Sequence, residues 1–132
     1  MTKVLIGALA LVTAMFVNAV GGRVEGHLFP VVSHAEISDL QAVGETRSRV
    51  WGHASRLRQC SFDHLVWFLG DENDNARADV VFEEGTKARG QGAFSFGPWL
   101  VQLRPQQLRD RSFAVVYHRC HPFWLTETRF YG

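Results

Sequence analysis

The stretch FAVVYHRCHPFW, Phe113 to Trp124, joins a run of apolar residues to a cysteine that stands between two histidines and before a proline. Its β-branched and aromatic residues predict a strand over Phe113–Cys120, and Pro122 marks the end of that strand. The chain has one other cysteine, Cys60. The pattern is consistent with three kinds of site around Cys120, namely a disulfide bridge, a metal site or a redox site.

The N-terminal segment indicates the compartment. Residues 4–20, VLIGALALVTAMFVNAV, carry no charged side chain and follow Lys3. A basic start and an apolar run are typical of a signal peptide, with small residues before a cleavage point after Ala19. The run is also close to the roughly 20 residues that a helix needs to cross a bilayer. Residues 1–20 are therefore predicted to be a signal peptide or a membrane anchor, and Lys3 favours export of the remaining chain in both cases.

Export decides among the three interpretations of Cys120. Two cysteines in an exported domain usually pair, so we predict a Cys60–Cys120 disulfide. His118 and His121 are the alternative metal ligands, but a bridged Cys120 has no thiolate to offer, and the sequence has no C-x-x-C or H-E-x-x-H motif. Catalytic disulfides usually join cysteines close in sequence, which disfavours a redox site. We expect no metal and no other cofactor.

Short apolar or alternating segments separated by Gly, Pro, Asn and Asp begin at Arg47, a pattern typical of a β-sandwich or small barrel. The predicted strands are Arg49–Ala54, Arg56–Phe62, His64–Leu69, Asp79–Glu83, Ala93–Phe96, Trp99–Leu103, Phe113–Cys120 and Thr126–Tyr131. The acidic stretch 71–75 is predicted to be a hairpin turn, and 84–92 a polar, glycine-rich loop. We expect a linker over 21–46 and one disulfide-stapled β-sandwich domain over 47–132, large enough for a single core.

The linker carries signals for the start of a helix. Ser33 is placed as an N-cap with Glu36 three residues later, and Val32 and Ile37 are spaced as a hydrophobic staple. Gly44 is placed to end such a helix. The competing interpretation is a first strand through 30–37.

The order of Cys60, Trp67 and Cys120 along these strands resembles that of immunoglobulin-like domains. Such domains join two strands of opposite sheets by a disulfide that packs on a tryptophan. The resemblance covers about residues 47–131, and it implies an all-β fold, an antiparallel β-sandwich. Two features depart from it, because Trp67 follows Cys60 by only seven residues and His118 stands where the family has tyrosine. A shared fold of this kind implies no particular function.

Charge and motifs narrow the classes of function. The chain has fourteen Lys and Arg residues and thirteen Asp and Glu residues, so it has no overall positive electrostatic field that would attract nucleic acid. No G-x-S-x-G motif supports a hydrolase. Arginines interleaved with aromatics over 47–58 are typical of an exposed strand face that charge keeps soluble, and the alternative is a surface that binds lipid phosphates or an acidic partner. The aromatic-rich C-terminus either completes the core or contacts a partner. The candidate binding residues are Trp51, Arg56, Arg58, Trp124 and Tyr131.

These observations predict a non-catalytic exported protein, membrane-tethered or secreted, that acts as a binding or assembly module at the cell envelope. Its location is periplasmic or otherwise extracytoplasmic, with residues 4–20 as an inner-membrane anchor if they are not cleaved. A protein of the envelope is the expected partner. The alternative is a small metal-binding or hydrolytic envelope protein that uses His118 and His121 with His53 or His64.

Overall fold

The structure is a computed structural model that describes residues 1–83 and 92–132. The loop predicted over 84–92 therefore lies, except for Gly92, outside the described residues. A long helix, α1 (Thr2–Leu28), precedes the β-strands. The strands and one short helix are β1 (Glu36–Val43), β2 (Arg47–Arg56), β3 (Ser61–Gly70), β4 (Asn75–Ala78), β5 (Val80–Phe82), β6 (Gly92–Val101), α2 (Pro105–Asp110), β7 (Ser112–Arg119) and β8 (Thr126–Tyr131).

The described strands form two antiparallel four-stranded sheets, in the orders β1-β2-β6-β5 and β4-β3-β7-β8. Buried residues from both sheets belong to one hydrophobic cluster, with Val50 and Phe96 from the first sheet and Trp67 and Phe130 from the second. Alternate residues of a strand face opposite sides, and in β2 and β8 every second side chain is buried, over Ser48–Ala54 and Thr126–Phe130. The prediction of a mostly β protein with an N-terminal apolar helix is confirmed.

The helix predicted after Ser33 is wrong, because residues 36–43 form strand β1. This strand pairs with β2 from Glu36 opposite His53 to Val43 opposite Arg47. The Ser33 hydroxyl accepts a hydrogen bond from the Ser55 backbone N–H at 2.8 Å instead of capping a helix. Gly44, predicted to end the helix, has φ +68° between β1 and β2. Pairing of β1 with the next strand, β2, outweighs the local capping pattern, since a helix cap contributes only about 1 kcal/mol of stability.

Some strand limits also differ from the prediction. The segment 56–62 is not one strand, since β2 ends at Arg56 and β3 begins at Ser61. Strand β6 runs without interruption through Gly97-Pro98, which the sequence indicated as a turn. Helix α2 was missed, although Pro105 stands in its first turn, where proline is favoured, and its Leu108 is fully buried. The turn at 71–75 is confirmed as the connection of the β3–β4 hairpin.

The predicted disulfide is confirmed, with Cys60 and Cys120 bonded and their Cα atoms 4.6 Å apart. Cys60 directly precedes β3 and Cys120 directly follows β7, and these strands are paired neighbours with Ser61 opposite Arg119. The bridge therefore joins the ends of two strands in one sheet, whereas the immunoglobulin resemblance implies a bridge between sheets. Trp67 is fully buried in β3, where its indole N–H donates to the Ser112 hydroxyl at 3.0 Å.

Candidate functional site

Helix α1 is in close contact with the β-domain over its last two turns. The Trp124 ring covers Gly21, and a Cβ added at Gly22 or Gly26 would overlap a backbone carbonyl oxygen, that of Leu125 or of Glu127. Glycines four apart on one helix face allow such a close backbone approach. The helix therefore runs along the start of β8 with no room for a side chain between them.

One carboxylate joins the helix to the loop that follows Cys120. Glu25 Oε2 lies 2.7 Å from His121 Nε2 and accepts a hydrogen bond from Trp124 Nε1 at 2.8 Å. Its other oxygen accepts from Arg58 Nη2 at 3.0 Å. We call Glu25, Arg58, His121 and Trp124, together with the glycine contacts, the helix joint.

The Glu25 side chain is only 14% exposed, and it lies outside the apolar run, beside the domain. Burial by itself raises the pKa of this carboxyl, but hydrogen bonds from His121, Trp124 and Arg58 outweigh it and lower the pKa to about 2. A carboxylate that accepts several hydrogen bonds is stabilised in its charged form. Glu25 is thus ionised at neutral pH and holds three donors of the domain against the helix.

The rest of α1 lies outside the domain. Residues 2–19 are exposed, and α1 is the one described helix that is long and apolar enough to cross a membrane, with mean hydropathy 2.2. At 1.5 Å per residue the run 4–20 is about 25 Å long, close to the thickness of the hydrocarbon layer. Phe123, beside Trp124 in the helix joint, is 73% exposed. An exposed Phe and a half-buried Trp next to the end of an apolar run resemble the aromatic belt of membrane proteins.

The helix joint defines one end of the domain, which we call the helix-proximal end. Strand β8 begins there, with Thr126 opposite His118 near the end of β7, and the disulfide lies beside it. The connector 57–60 brings the end of β2 to the same place, where Arg56 pairs with Gly92 at the start of β6. Both sheets therefore contribute strand ends to the helix-proximal end.

A cavity of about 1000 Å³ lies between the two sheets at this end. Phe62 of β3 and Phe82 of β5 have ring centroids 6.2 Å apart, and Phe82 and Trp99 of β6 have centroids 4.8 Å apart. Further into the core, Phe96 and Phe130 have centroids 5.2 Å apart. We call this cavity the aromatic cleft and define it by Phe62, Phe82, Phe96, Trp99, His118 and Phe130.

His118 is the most buried titratable group of the aromatic cleft. It is 1% exposed, and its Nδ1 has no hydrogen-bond partner among the described residues. Burial, and to a smaller extent the positive charge of Arg56, lowers the pKa of His118 from 6.5 to about 4. An imidazolium is disfavoured away from water, so His118 is neutral at pH 7.

We expect the free energy of unfolding to fall as the pH is lowered from about 6.5 to 4. The folded pKa of His118 is depressed, so in this window the unfolded chain binds a proton that the folded chain does not bind. The slope from this one group is at most about 1.4 kcal/mol per pH unit. Urea unfolding at several pH values should show a flatter pH dependence for His118→Gln than for the native chain. An unchanged slope in His118→Gln would contradict this assignment.

The candidate binding residues fall into three places. Trp51 and Arg56 line the aromatic cleft, and Arg58 and Trp124 belong to the helix joint. Tyr131 lies apart, with its ring 5.5 Å from that of Trp67 and stacked at 6.4 Å on His34. Four of the five thus lie at the helix-proximal end.

The histidines of the alternative function do not come together. His118 lines the cleft and His121 contacts Glu25, while His53 contacts Glu36 and His64 stacks on Tyr117. Among residues 1–83 and 92–132, no group of three or more His, Cys, Asp or Glu side chains could hold a metal ion. Each of these histidines therefore lies in a different place and contacts different residues.

Sequence reasoning missed Glu25 and, apart from Trp51, the aromatic residues of the cleft. A signal for the joint was present, since Gly22 and Gly26 have the spacing at which small residues let a helix approach its neighbour closely. No such signal marks Phe62, Phe82 and Trp99, because aromatic strand residues are as well suited to a filled core as to an open cleft.

No protein-family model, curated protein sequence or solved structure matches this chain. Among the described residues, the helix joint and the aromatic cleft both lie at the helix-proximal end.

Proposed function

We propose that the protein is a non-catalytic binding or assembly module of the cell envelope, exported across a membrane and held there by an uncleaved α1. The observation that carries this proposal is the helix joint, in which the helix that contains the apolar run 4–20 packs without a gap against β8. Glu25 adds hydrogen bonds from His121, Trp124 and Arg58 to this packing. A tether of this kind keeps the domain at the membrane surface in a defined orientation.

The helix joint favours the anchor over the cleaved signal peptide. Ala19 lies within α1, two residues before Gly21, which is covered by the Trp124 ring. Cleavage after Ala19 requires this helix to unwind locally, and a docked neighbouring turn raises the free energy of that opening. The disulfide supports an oxidising compartment for the domain, which agrees with a periplasmic or other extracytoplasmic location.

Because the histidines share no common site among residues 1–83 and 92–132, the alternative function loses its main support. A binding role is supported instead by the aromatic cleft, whose volume is at the upper end of the roughly 300–1,000 Å³ typical of ligand sites. For the fold we propose a β-sandwich. The immunoglobulin-like connection of its strands stays a prediction, and the position of the disulfide within one sheet argues for a different arrangement.

Processing and topology test the tether. We expect the full chain, expressed with a C-terminal reporter in a bacterial host, to keep its N-terminal segment, to stay in the membrane fraction after alkaline extraction and to place the reporter outside the cytoplasm. Val17→Ala brings the residues before Ala19 closer to the small-x-small pattern that signal peptidases cut, and it serves as the control for access to the export route. A native chain that begins at Val20 and is soluble would contradict the tether. A reporter active only in the cytoplasm would contradict export itself.

A further inference from the structure

We propose that the aromatic cleft binds an acyl chain of a phospholipid from the membrane in which α1 lies. This inference rests on the proposed tether, and it names the ligand class of the binding module. Three features of the described residues support it, namely the position of the cleft, the chemistry of its walls and the charges that line it.

The position of the cleft follows from the helix joint. The apolar run ends at Val20, and the next residue, Gly21, lies under the Trp124 ring. If the run lies in the hydrocarbon layer, the membrane surface is near Trp124, because tryptophan prefers this interface. Trp124 stands four residues beyond Cys120, which lines the cleft. The cleft therefore lies at the end of the domain that faces the bilayer, where an acyl chain has only a short distance to travel.

The walls suit an apolar chain. The rings of Phe62, Phe82 and Trp99 form a continuous series from the exposed rim towards the core, and Phe62 is still 40% exposed. Water in contact with these rings is unfavourable, and burial against an acyl chain removes that contact. His118 is compatible with such a ligand because it is neutral at pH 7 and brings no buried charge next to the chain.

The charged side chains that line the cleft are suited to the headgroup of a phospholipid. Arg119 lines the cleft and is exposed. A guanidinium can donate two parallel hydrogen bonds to a phosphate, so a cation at the rim matches a phospholipid headgroup left outside. Among the described residues that line the cleft no acidic side chain is present to repel it.

Photo-crosslinking in membranes tests the proposal on the full chain. Phe82 in the cleft is replaced by p-benzoylphenylalanine, which on illumination inserts into nearby C–H bonds. Val81 is the matched control, since it is the adjacent residue of β5, is 56% exposed and does not line the cleft. In a third variant Phe123 is replaced by the same photoreactive residue, which reports contact with the bilayer interface. Mass spectrometry of the purified proteins then identifies adducts, and intact disulfide and membrane retention show that each chain is folded.

We expect phospholipid adducts at positions 82 and 123, with at least a several-fold lower yield at position 81. Leu65→Phe, which fills part of the cleft, should lower the yield at position 82 several-fold. Leu69→Phe, on the same strand but outside the cleft, should leave it unchanged.

The other outcomes separate the two proposals. Adducts at position 123 alone, equal yields at 81 and 82, or a protein adduct at 82 would overturn the acyl-chain site and leave the tether standing. No lipid adduct at any of the three positions would contradict the tether itself.

Discussion

Cys60→Ser is expected to lower the free energy of unfolding by about 2–4 kcal/mol, and Cys120→Ser by a similar amount. The bridge closes a loop of 60 residues, and without it the unfolded chain gains conformational entropy that the folded chain does not gain. The chain-entropy relation gives roughly 4 kcal/mol for such a loop, an upper value for real proteins. Against a typical net stability of about 5–15 kcal/mol this is a large loss.

The double variant separates a bridge from two independent cysteines. Both substitutions remove the same bond, so the double variant should cost little more than either single one. Urea unfolding of the full chain in detergent micelles, followed by tryptophan fluorescence, measures all three. Non-reducing mass analysis should also find a monomer two protons lighter than the reduced chain. Additive losses, or thiols that react with an alkylating reagent in the native membrane, would show that the cysteines act separately.

The bridge has local consequences as well. It holds the ends of β3 and β7 beside the helix joint and at the rim of the aromatic cleft. Its removal should therefore loosen the helix-proximal end before the rest of the domain, which hydrogen exchange can detect as lower protection in residues 61–65 than in the buried strands.

Gly26→Leu is expected to separate α1 from β8 and to cost about 1–3 kcal/mol of stability. Even a Cβ at this position would overlap the Glu127 carbonyl oxygen, which belongs to the backbone of a paired strand and has no room to move. The helix must shift away, and the hydrogen bonds of Glu25 to His121, Trp124 and Arg58 are then lost. Because leucine is a better helix former than glycine, the helix itself stays intact.

Gly7→Leu is the matched control, since it makes the same substitution in the same helix and a Cβ there meets nothing within 4 Å. Limited proteolysis and urea unfolding distinguish the two variants. We expect faster cleavage between residues 19 and 31 in Gly26→Leu and no change from the native chain in Gly7→Leu. Equal stability and equal proteolysis in both variants would show that the glycine contacts do not hold the helix.

Acid exposure offers a separate check on the helix joint. The pKa of Glu25 is lowered to about 2 from an unfolded value near 4.5. Its contribution to the free energy of unfolding is therefore complete above pH 4.5 and is lost as the pH falls through about 2. The contribution of His118 is lost at higher pH, from 6.5 to 4. Loosening of the helix and destabilisation of the cleft should therefore occur in different pH windows.

Local patterns predicted several parts of the fold. Apolar residues without charge over 4–20 indicated a long helix, and short segments between turn residues indicated strands, because both patterns depend on neighbouring residues. The cysteine pairing followed from a count of two in a domain predicted to be exported. The 71–75 turn was also predicted from local composition, since Asp and Asn favour turns through hydrogen bonds to nearby backbone groups.

The site was predicted only in part, and the reason is the separation along the chain of the residues that meet. Four candidate residues were selected because they are aromatic or cationic, namely Trp51, Arg56, Arg58 and Trp124. Their neighbours in the sequence do not indicate that two of them line a cleft and two contact a helix. Glu25 lies 96 residues from His121 and 99 from Trp124. Pairings at such distances depend on the register of whole strands, which no short window of sequence contains.

Sequence alone was enough to predict the apolar helix, the β-rich character and the identity of the bridged cysteines, because composition, short-range periodicity and a single available pairing decide these properties. The tertiary structure decided that residues 36–43 form a strand, that the bridge lies within one sheet, and that Glu25 meets His121 and Trp124. Pairing with β2 outweighs a helix-capping preference of about 1 kcal/mol at residues 33–37. The bridge and the Glu25 contacts join residues 60 to 99 positions apart, which no short window of sequence contains.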